Sequence, residues 1–262
     1  MHKAKKSLGQ NFLKSEAALH AIIQAGEITE KDTIVEIGPG KGALTERLLE
    51  KAGKVVAIEK DKDLLPILEE KFNTEIEKGK LVIVNQDVLE CNLENFVQAE
   101  YKVIANIPYN ITGAILKKFL AGNHQPGLMV LLVQKEVALR IVARDLKESI
   151  LSISVKTYGM PTYIMKVAAR YFSPAPKVDS AVIKIANISK DFFHKNNVNE
   201  ENFWSLIHAG FAHKRKMLAG NLKTWRPDID WGAVFATCRI PTNTRAEDIG
   251  INQWVSLYKN FE

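Results

Sequence analysis

Asn106-Ile107-Pro108-Tyr109 puts a carboxamide, a rigid proline carbonyl and an aromatic face into four consecutive residues, directly after the apolar run Val103-Ile104-Ala105. Where a buried strand opens into a loop, such a set can accept the hydrogens of an exocyclic amine on a flat heterocycle and hold the ring still. The N6 amine of adenine is a poor nucleophile because its lone pair is delocalised into the ring. Acceptors at the Asn106 side chain and at the Ile107 or Pro108 carbonyl pull that nitrogen towards tetrahedral geometry, while Tyr109 stacks on the base. Orientation and preorganised dipoles of this kind stand in for a strong base. Asn and Pro are also common turn formers, so the tetrapeptide needs a second feature beside it.

That feature is Glu36-Ile-Gly38-Pro-Gly40-Lys-Gly42, a glycine-rich turn after one apolar run and before a helical pattern. Glycines there let the backbone come close to a ligand. The spacing departs from the dinucleotide fingerprint, because the third glycine comes one residue early. Glu59 ends the next strand pattern, where a carboxylate can accept hydrogen bonds from both hydroxyls of a ribose. Asp87 ends the third, placed to receive an adenine amino group. A tight turn with two solvated acids is the plainer reading of each, but three such features at successive strand ends favour a nucleoside cofactor. S-adenosylmethionine fits better than nicotinamide, since this turn need not host a pyrophosphate. Phe172, in Tyr171-Phe172-Ser-Pro-Ala-Pro, is a candidate second aromatic for the other face of an extruded base, or else a core residue.

These residues need a scaffold that brings strand ends together. Apolar runs at 33–37, 55–58, 81–84, 102–105 and 128–133 read as strands, alternating with helical patterns at 43–51, 62–72, 112–120 and 135–144. A further helix over 16–24 is capped by Ser15. The strands are continuously apolar, as in a parallel sheet with helices on both faces, and such sheets bind ligands beyond the carboxyl ends of their strands. The fold expected is α/β and Rossmann-like, mostly parallel. Three closely spaced strands over 152–157, 163–167 and 181–185 follow, including an antiparallel edge. Helices over 201–211, 214–222, 231–236 and 252–258 complete the chain. The expected domains are 1–187, catalytic, and 188–262, small and helical.

Composition sets outer limits. The chain has 262 residues, 46% hydrophobic and 25% charged, with a formal charge of +6. Its pI of about 9.1 inclines it towards a polyanionic partner. Two cysteines without a CxxC pattern exclude a disulfide framework, and six scattered histidines give no metal-ligand spacing, so no metal is expected. The basic start is not followed by an apolar signal region, and the longest apolar run, 128–133, is too short to cross a bilayer. A soluble, cytoplasmic monomer is expected. Lys135, Arg140, Arg144, Lys147 and Lys214-Arg215-Lys216 could follow phosphates, Arg140 and Arg144 lying one helical turn apart.

The chain resembles the KsgA-type rRNA adenine N6-dimethyltransferases. The likeness rests on Ser7-Leu-Gly-Gln-Asn-Phe-Leu13, the Glu36–Gly42 turn, Gln86-Asp87-Val88, Asn106-Ile-Pro-Tyr109, Gln134-Lys-Glu-Val137, Phe172-Ser-Pro-Ala-Pro-Lys-Val-Asp-Ser180 and Arg215-Lys216-Met-Leu. It runs in order over nearly the whole chain. It implies a methyltransferase domain with a helical RNA-recognition domain. It also implies transfer of four methyls from S-adenosylmethionine to two adjacent adenosines in a hairpin near the 3′ end of small-subunit rRNA, within the pre-30S subunit. The resemblance further implies that Asn11 and Leu13 line the cofactor pocket. Gly38 would meet the methionine part, Glu59 the ribose, and Asp87 with Val88 the adenine. Asn106 would touch both cofactor and target amine, and Tyr109 and Phe172 would sandwich the target base. The loop Asp145-Leu-Lys-Glu-Ser149 is shorter than the family's and lacks its tyrosine-glycine element. Two other readings are a large-subunit adenine methyltransferase of the macrolide-resistance type, and an RNA-binding assembly factor without turnover.

Overall fold

In the computed structural model, which describes residues 3–261, the apolar runs form one seven-stranded sheet and a short two-stranded one. In chain order the strands are β1 (Phe12–Leu13), β2 (Thr33–Ile37), β3 (Lys54–Glu59), β4 (Leu81–Asn85), β5 (Lys102–Asn106), β6 (Leu128–Gln134), β7 (Met160–Val167), β8 (Phe172–Ser173) and β9 (Ser180–Ala186). The large sheet has the order β4-β3-β2-β5-β6-β9-β7; its first five strands are parallel, and β9 runs antiparallel to both β6 and β7. The small sheet is β1 paired antiparallel with β8.

Ile34, Val35, Val55, Val56, Val103 and Ile104 are completely buried, which requires cover on both faces of the sheet. One cover is the helix Glu16–Ala25, which turns Ala18, Leu19 and Ile22 inward and whose first turn is capped by the Ser15 hydroxyl accepting from Ala18 N at 3.2 Å. Truncating any of the central valines or isoleucines would leave a cavity costing about 1–5 kcal/mol, depending on how far the site collapses.

Strand order decides where a ligand can sit. From β2 the chain moves one way to β3 and β4, then returns to place β5 on the other side of β2. The carboxyl ends of β2 and β5 therefore flank the switch point, the crevice where open α/β sheets bind ligands. Val35 lies opposite Val103, so the turn after Ile37 and the tetrapeptide beginning at Asn106 leave the same sheet edge as neighbours.

The chain divides into two compact units. One runs through residue 138 and takes in Met160–Ile188; the other combines Leu139–Gly159 with the residues from Ser189 onward. The division is not linear, so the stretch 139–159, read from the sequence as part of the first domain, belongs with the second. The expected strand over 152–157 is a helix, Ile150–Tyr158. Leu151-Ser152-Ile153-Ser154-Val155-Lys156 alternates like a strand, but a local interaction overrides the alternation. Ser149 accepts from Ser152 N at 3.1 Å and donates its own N–H to Ser152 Oγ at 2.7 Å, a reciprocal cap that fixes the first helical turn.

Two basic segments also differ from expectation. The helix read over 135–144 stops at Ile141, and Ala143 takes a left-handed φ of 50°, so Arg140 and Arg144 do not share a helical face. The helix read over 214–222 starts at Leu218 and runs to Trp225. Its start is delayed because Leu218 N donates to Thr244 O at 2.9 Å and Asn221 Nδ2 donates to the carbonyls of Gly210 and His213, tying off the preceding helix end. Lys214, Arg215 and Lys216 are exposed in the intervening turns. Among the described residues no helix is long and apolar enough to cross a membrane.

Candidate active site

At the carboxyl ends of β2, β3 and β5 lies a cavity of about 460 Å³, within the range of small-molecule sites. Asn11, Leu13, Gly38, Glu59, Asp87, Val88, Asn106, Pro108 and Tyr109 all line it. Nine of the ten expected site residues are thus brought together from five separate stretches of chain.

The glycine turn opens this space. Gly38 has φ +65°, and a Cβ built there would meet nothing within 4 Å, so hydrogen leaves a clear face for a ligand's backbone-close approach. Gly40 is constrained differently: a Cβ would come within 2.9 Å of the Phe12 ring, which the N-terminal segment lays against the turn.

Charge at the cavity is arranged by strand ends. Glu59 is 5% exposed; its carboxylate accepts from Gly40 N at 3.2 Å and Asp61 N at 2.8 Å, which pins the glycine turn to the end of β3. Burial raises its pKa above the usual carboxylate range, against those two backbone donors. Asp87 instead accepts from Lys60 Nζ at 2.7 Å and Leu89 N at 2.9 Å, and the Lys60 ammonium holds its pKa down. Val88 is buried beside it and supplies an apolar wall. The Glu59 and Asp87 carboxylates, the apolar Val88 and the side-chain-free turn at Gly38 fit a nucleoside carrying a short charged arm.

Sequence reasoning gave Glu36 no role of its own. It lines the cavity, is 1% exposed, and its Oε2 has no hydrogen-bond partner among the described residues. Burial, with the nearby Glu59 charge adding to it, pushes the carboxyl up to about 8. The signal available in the sequence was an acid in the middle of an otherwise apolar strand, Thr33-Ile-Val-Glu36-Ile37.

Asn106, at the end of β5, donates from Nδ2 to the Asn11 carbonyl at 3.1 Å. A backbone carbonyl can only accept, so this contact fixes which amide atom is nitrogen and leaves Oδ1 as the free acceptor. The Pro108 carbonyl accepts from Ile111 N at 3.3 Å, whereas the Ile107 carbonyl has no partner among the described residues. Tyr109 begins a short 3-10 turn, and its hydroxyl shares a 2.6 Å hydrogen bond with Ser180 Oγ at the start of β9. Burial pushes the Tyr109 phenol up, so it stays neutral.

Phe172 is not brought to the cavity. Its ring is 3% exposed, its backbone is paired with Leu13 across β1 and β8, and it belongs to the same apolar cluster as Leu13 and Val167. Of the two readings the sequence allowed, the core residue is the one observed; the neighbouring Ser173 reaches the cavity wall instead.

A family profile described as ribosomal RNA adenine dimethylase matches residues 1–262. Among curated relatives, the ribosomal RNA small subunit methyltransferase A of Fusobacterium nucleatum subsp. nucleatum is 39% identical over 99% of this chain and 98% of its own length. The protein of the same name from Rippkaea orientalis is 37% identical over 97% of this chain and 96% of its own length. Among solved structures, the 23S rRNA methyltransferase ErmE superposes with a TM-score of 0.79 at 23% identity, covering 96% of this chain and 99% of that one. A dimethyladenosine transferase from Plasmodium falciparum gives 0.78 at 24%, covering 95% and 97%. The two structures establish the Rossmann-like methyltransferase fold with its C-terminal helices. With a profile spanning the chain from end to end and near-full-length relatives well above 30% identity, this chain belongs to the ribosomal RNA adenine dimethylase family.

Proposed function

We propose that this chain dimethylates the N6 amines of two adjacent adenosines in the 3′-terminal hairpin of small-subunit rRNA, acting on the pre-30S subunit with S-adenosylmethionine as donor. The observation that supports the chemistry is the Asn106 carboxamide, which lines the cavity and donates from Nδ2 to the Asn11 carbonyl, leaving Oδ1 as a pure acceptor. The small-subunit substrate is preferred because the near-full-length relatives carry that name, whereas the likeness to the large-subunit enzyme, at 23% identity, speaks for fold alone.

S-adenosylmethionine supplies an electrophilic methyl on a sulfonium when bound. Glu59 would accept hydrogen bonds from its ribose hydroxyls, Asp87 from the adenine amine, and Val88 would pack on the adenine ring. Gly38 would admit the methionine arm, with Asn11 and Leu13 closing the pocket from the N-terminal side. Asn106 Oδ1 and the unpartnered Ile107 carbonyl accept the two hydrogens of the target amine and draw its lone pair out of conjugation; Pro108 keeps that carbonyl in place. Tyr109 offers its ring face to the base. Neither acceptor is a strong base, and none is needed, because the proton leaves an already cationic product to water. The helical unit and its exposed Lys214-Arg215-Lys216 serve RNA recognition.

Incubation with labelled S-adenosylmethionine and either undermethylated small subunits or protein-free large-subunit RNA, followed by mass-spectrometric mapping, tests this. Label on two adjacent small-subunit adenosines is expected; label confined to large-subunit RNA overturns the reading. Asn106→Ala should lower kcat by about 10²–10³, the usual effect of removing a preorganised hydrogen-bonding group at a reacting centre.

A further inference from the structure

A second, shallower recess adjoins the donor cavity, lined by Lys6, Gly9, Asn11, Tyr109, Asn110 and Gln134. It shares Gly9, Asn11, Tyr109 and Asn110 with the larger cavity, so a chain entering one continues into the other. Around both, most polar side chains are engaged within the protein. Lys5 and Gln10 bind Asp61, Asn11 binds the Gly9 carbonyl, Asn106 binds Asn11, and Tyr109 binds Ser180.

Three side chains in the recess are different. The Lys6 ammonium and the carboxamides of Asn110 and Gln134 make no hydrogen bond or ion pair with any described residue. Gln134 is the informative one. It ends β6 between β5 and β9, in register with Ser180, and is half-buried, so its position is set by the sheet. A partly buried amide without a partner is costly unless a ligand or water satisfies it. A carboxamide presents donor and acceptor side by side, the complement of the N6/N7 edge of adenine. An ammonium on the same wall suits a backbone phosphate.

We propose that this recess holds the RNA nucleotide next to the one being methylated, its purine edge on Gln134 and Asn110 and a phosphate at Lys6. The proposal rests on the small-subunit reading and deepens it. Two adjacent adenosines served by one set of acceptors at Asn106 and Ile107 require a place for whichever adenosine is not reacting. The recess gives that neighbour a defined seat and makes the enzyme sensitive to its identity.

The test uses hairpins with a single reactive adenosine, whose neighbour on either side is adenosine, purine riboside lacking the amine, or an abasic site. With the full-length protein, loss of the neighbour's edge should raise KM about tenfold on one side, the usual worth of a bidentate base contact. Gln134→Ala should raise KM similarly for the adenosine-neighbour hairpin, abolish the difference between neighbours, and leave S-adenosylhomocysteine affinity by calorimetry unchanged. Lys6→Ala, at an exposed position, should lower the salt dependence of RNA binding by about one phosphate contact without affecting donor affinity. Gln134→Ala that binds S-adenosylhomocysteine normally yet still discriminates between neighbours overturns the recess alone. Wild-type protein that methylates no hairpin but does methylate large-subunit RNA overturns the small-subunit reading and this proposal with it.

Discussion

Tyr109 is held at both ends: its backbone opens the turn after Pro108, and its hydroxyl is tied to a fully buried serine three strands' width from β2. Ser180 does not line the cavity, so under the proposed function it is a positioning residue, and its effect should pass through the ring. Ser180→Ala and Tyr109→Phe should each lower kcat about tenfold with RNA KM less affected, as loss of orientation does. The double variant should be no worse than either single one, since both remove the same tether. Additive losses in single-turnover assays would refute the coupling. Glu36 makes a prediction of another kind. Its folded pKa of about 8 lies above the ordinary carboxylate value, so between about pH 4.5 and 8 the folded state holds a proton that the unfolded state has lost. Stability from this group is therefore full in acid, declines as pH rises through that window, and is level above it, with a slope of at most about 1.4 kcal/mol per pH unit. Glu36→Gln should remove that slope, seen as a gap in urea midpoint between variant and wild type that widens towards pH 8. Residues carrying a motif were legible in the sequence because each sits at a strand end whose neighbours could be guessed. Phe172 was not, because its exposure depends on pairing with Leu13, some 160 residues earlier in the chain.

The N-terminal segment, through residues 7–14, forms part of the wall of the candidate cavity. It is fastened in three places. Lys5 and Gln10 reach the buried Asp61 at 2.5 and 2.7 Å, Asn11 bridges to Asn106 through its carbonyl, and β1 pairs with β8, with Lys14 N donating to Tyr171 O at 2.8 Å. The first fastening is charge-assisted and joins the segment to the chain just past β3, so it should be the strongest of the three. Asp61→Asn keeps the shape and the cap on Asp63 N while removing the charge. It should speed release of S-adenosylhomocysteine about tenfold in stopped-flow displacement, with Lys5→Ala behaving alike. Unchanged release in both would mean the other two fastenings suffice. Elements such as this were partly legible. The parallel strands announced themselves as unbroken apolar runs, whereas the stretch 150–158 hid its helix behind strand-like alternation because its deciding interaction is a two-serine cap, a signal shorter than the pattern it overrides.

At the scale of the molecule, the charge of +6 is distributed unevenly between cations that are spent and cations that are not. Lys147 is held by Asp248 and Glu247, and Lys156 by Glu148, all within the helical unit, so these lysines are compensated before any RNA arrives. Lys214, Arg215 and Lys216 stand exposed in turns, and no ion pair within the described residues is recorded for them. The two-unit division puts the cavity's lining residues in one unit and these cations in the other, so the proposed function predicts that donor and RNA binding respond to different substitutions. Replacing all three by alanine should leave S-adenosylhomocysteine affinity unchanged and raise KM for the RNA hairpin at moderate salt. The logarithmic salt slope of RNA binding should fall by about 2–3, if each cation neutralises one phosphate. Phosphate contacts carry no sequence information, so the loss should be the same for hairpins with either neighbour of the reactive adenosine, unlike the loss in Gln134→Ala. A triple variant whose salt slope is unchanged would place the RNA backbone elsewhere. One that loses donor affinity in equal measure would show the helical unit to be part of the scaffold of the cavity rather than a separate grip on RNA.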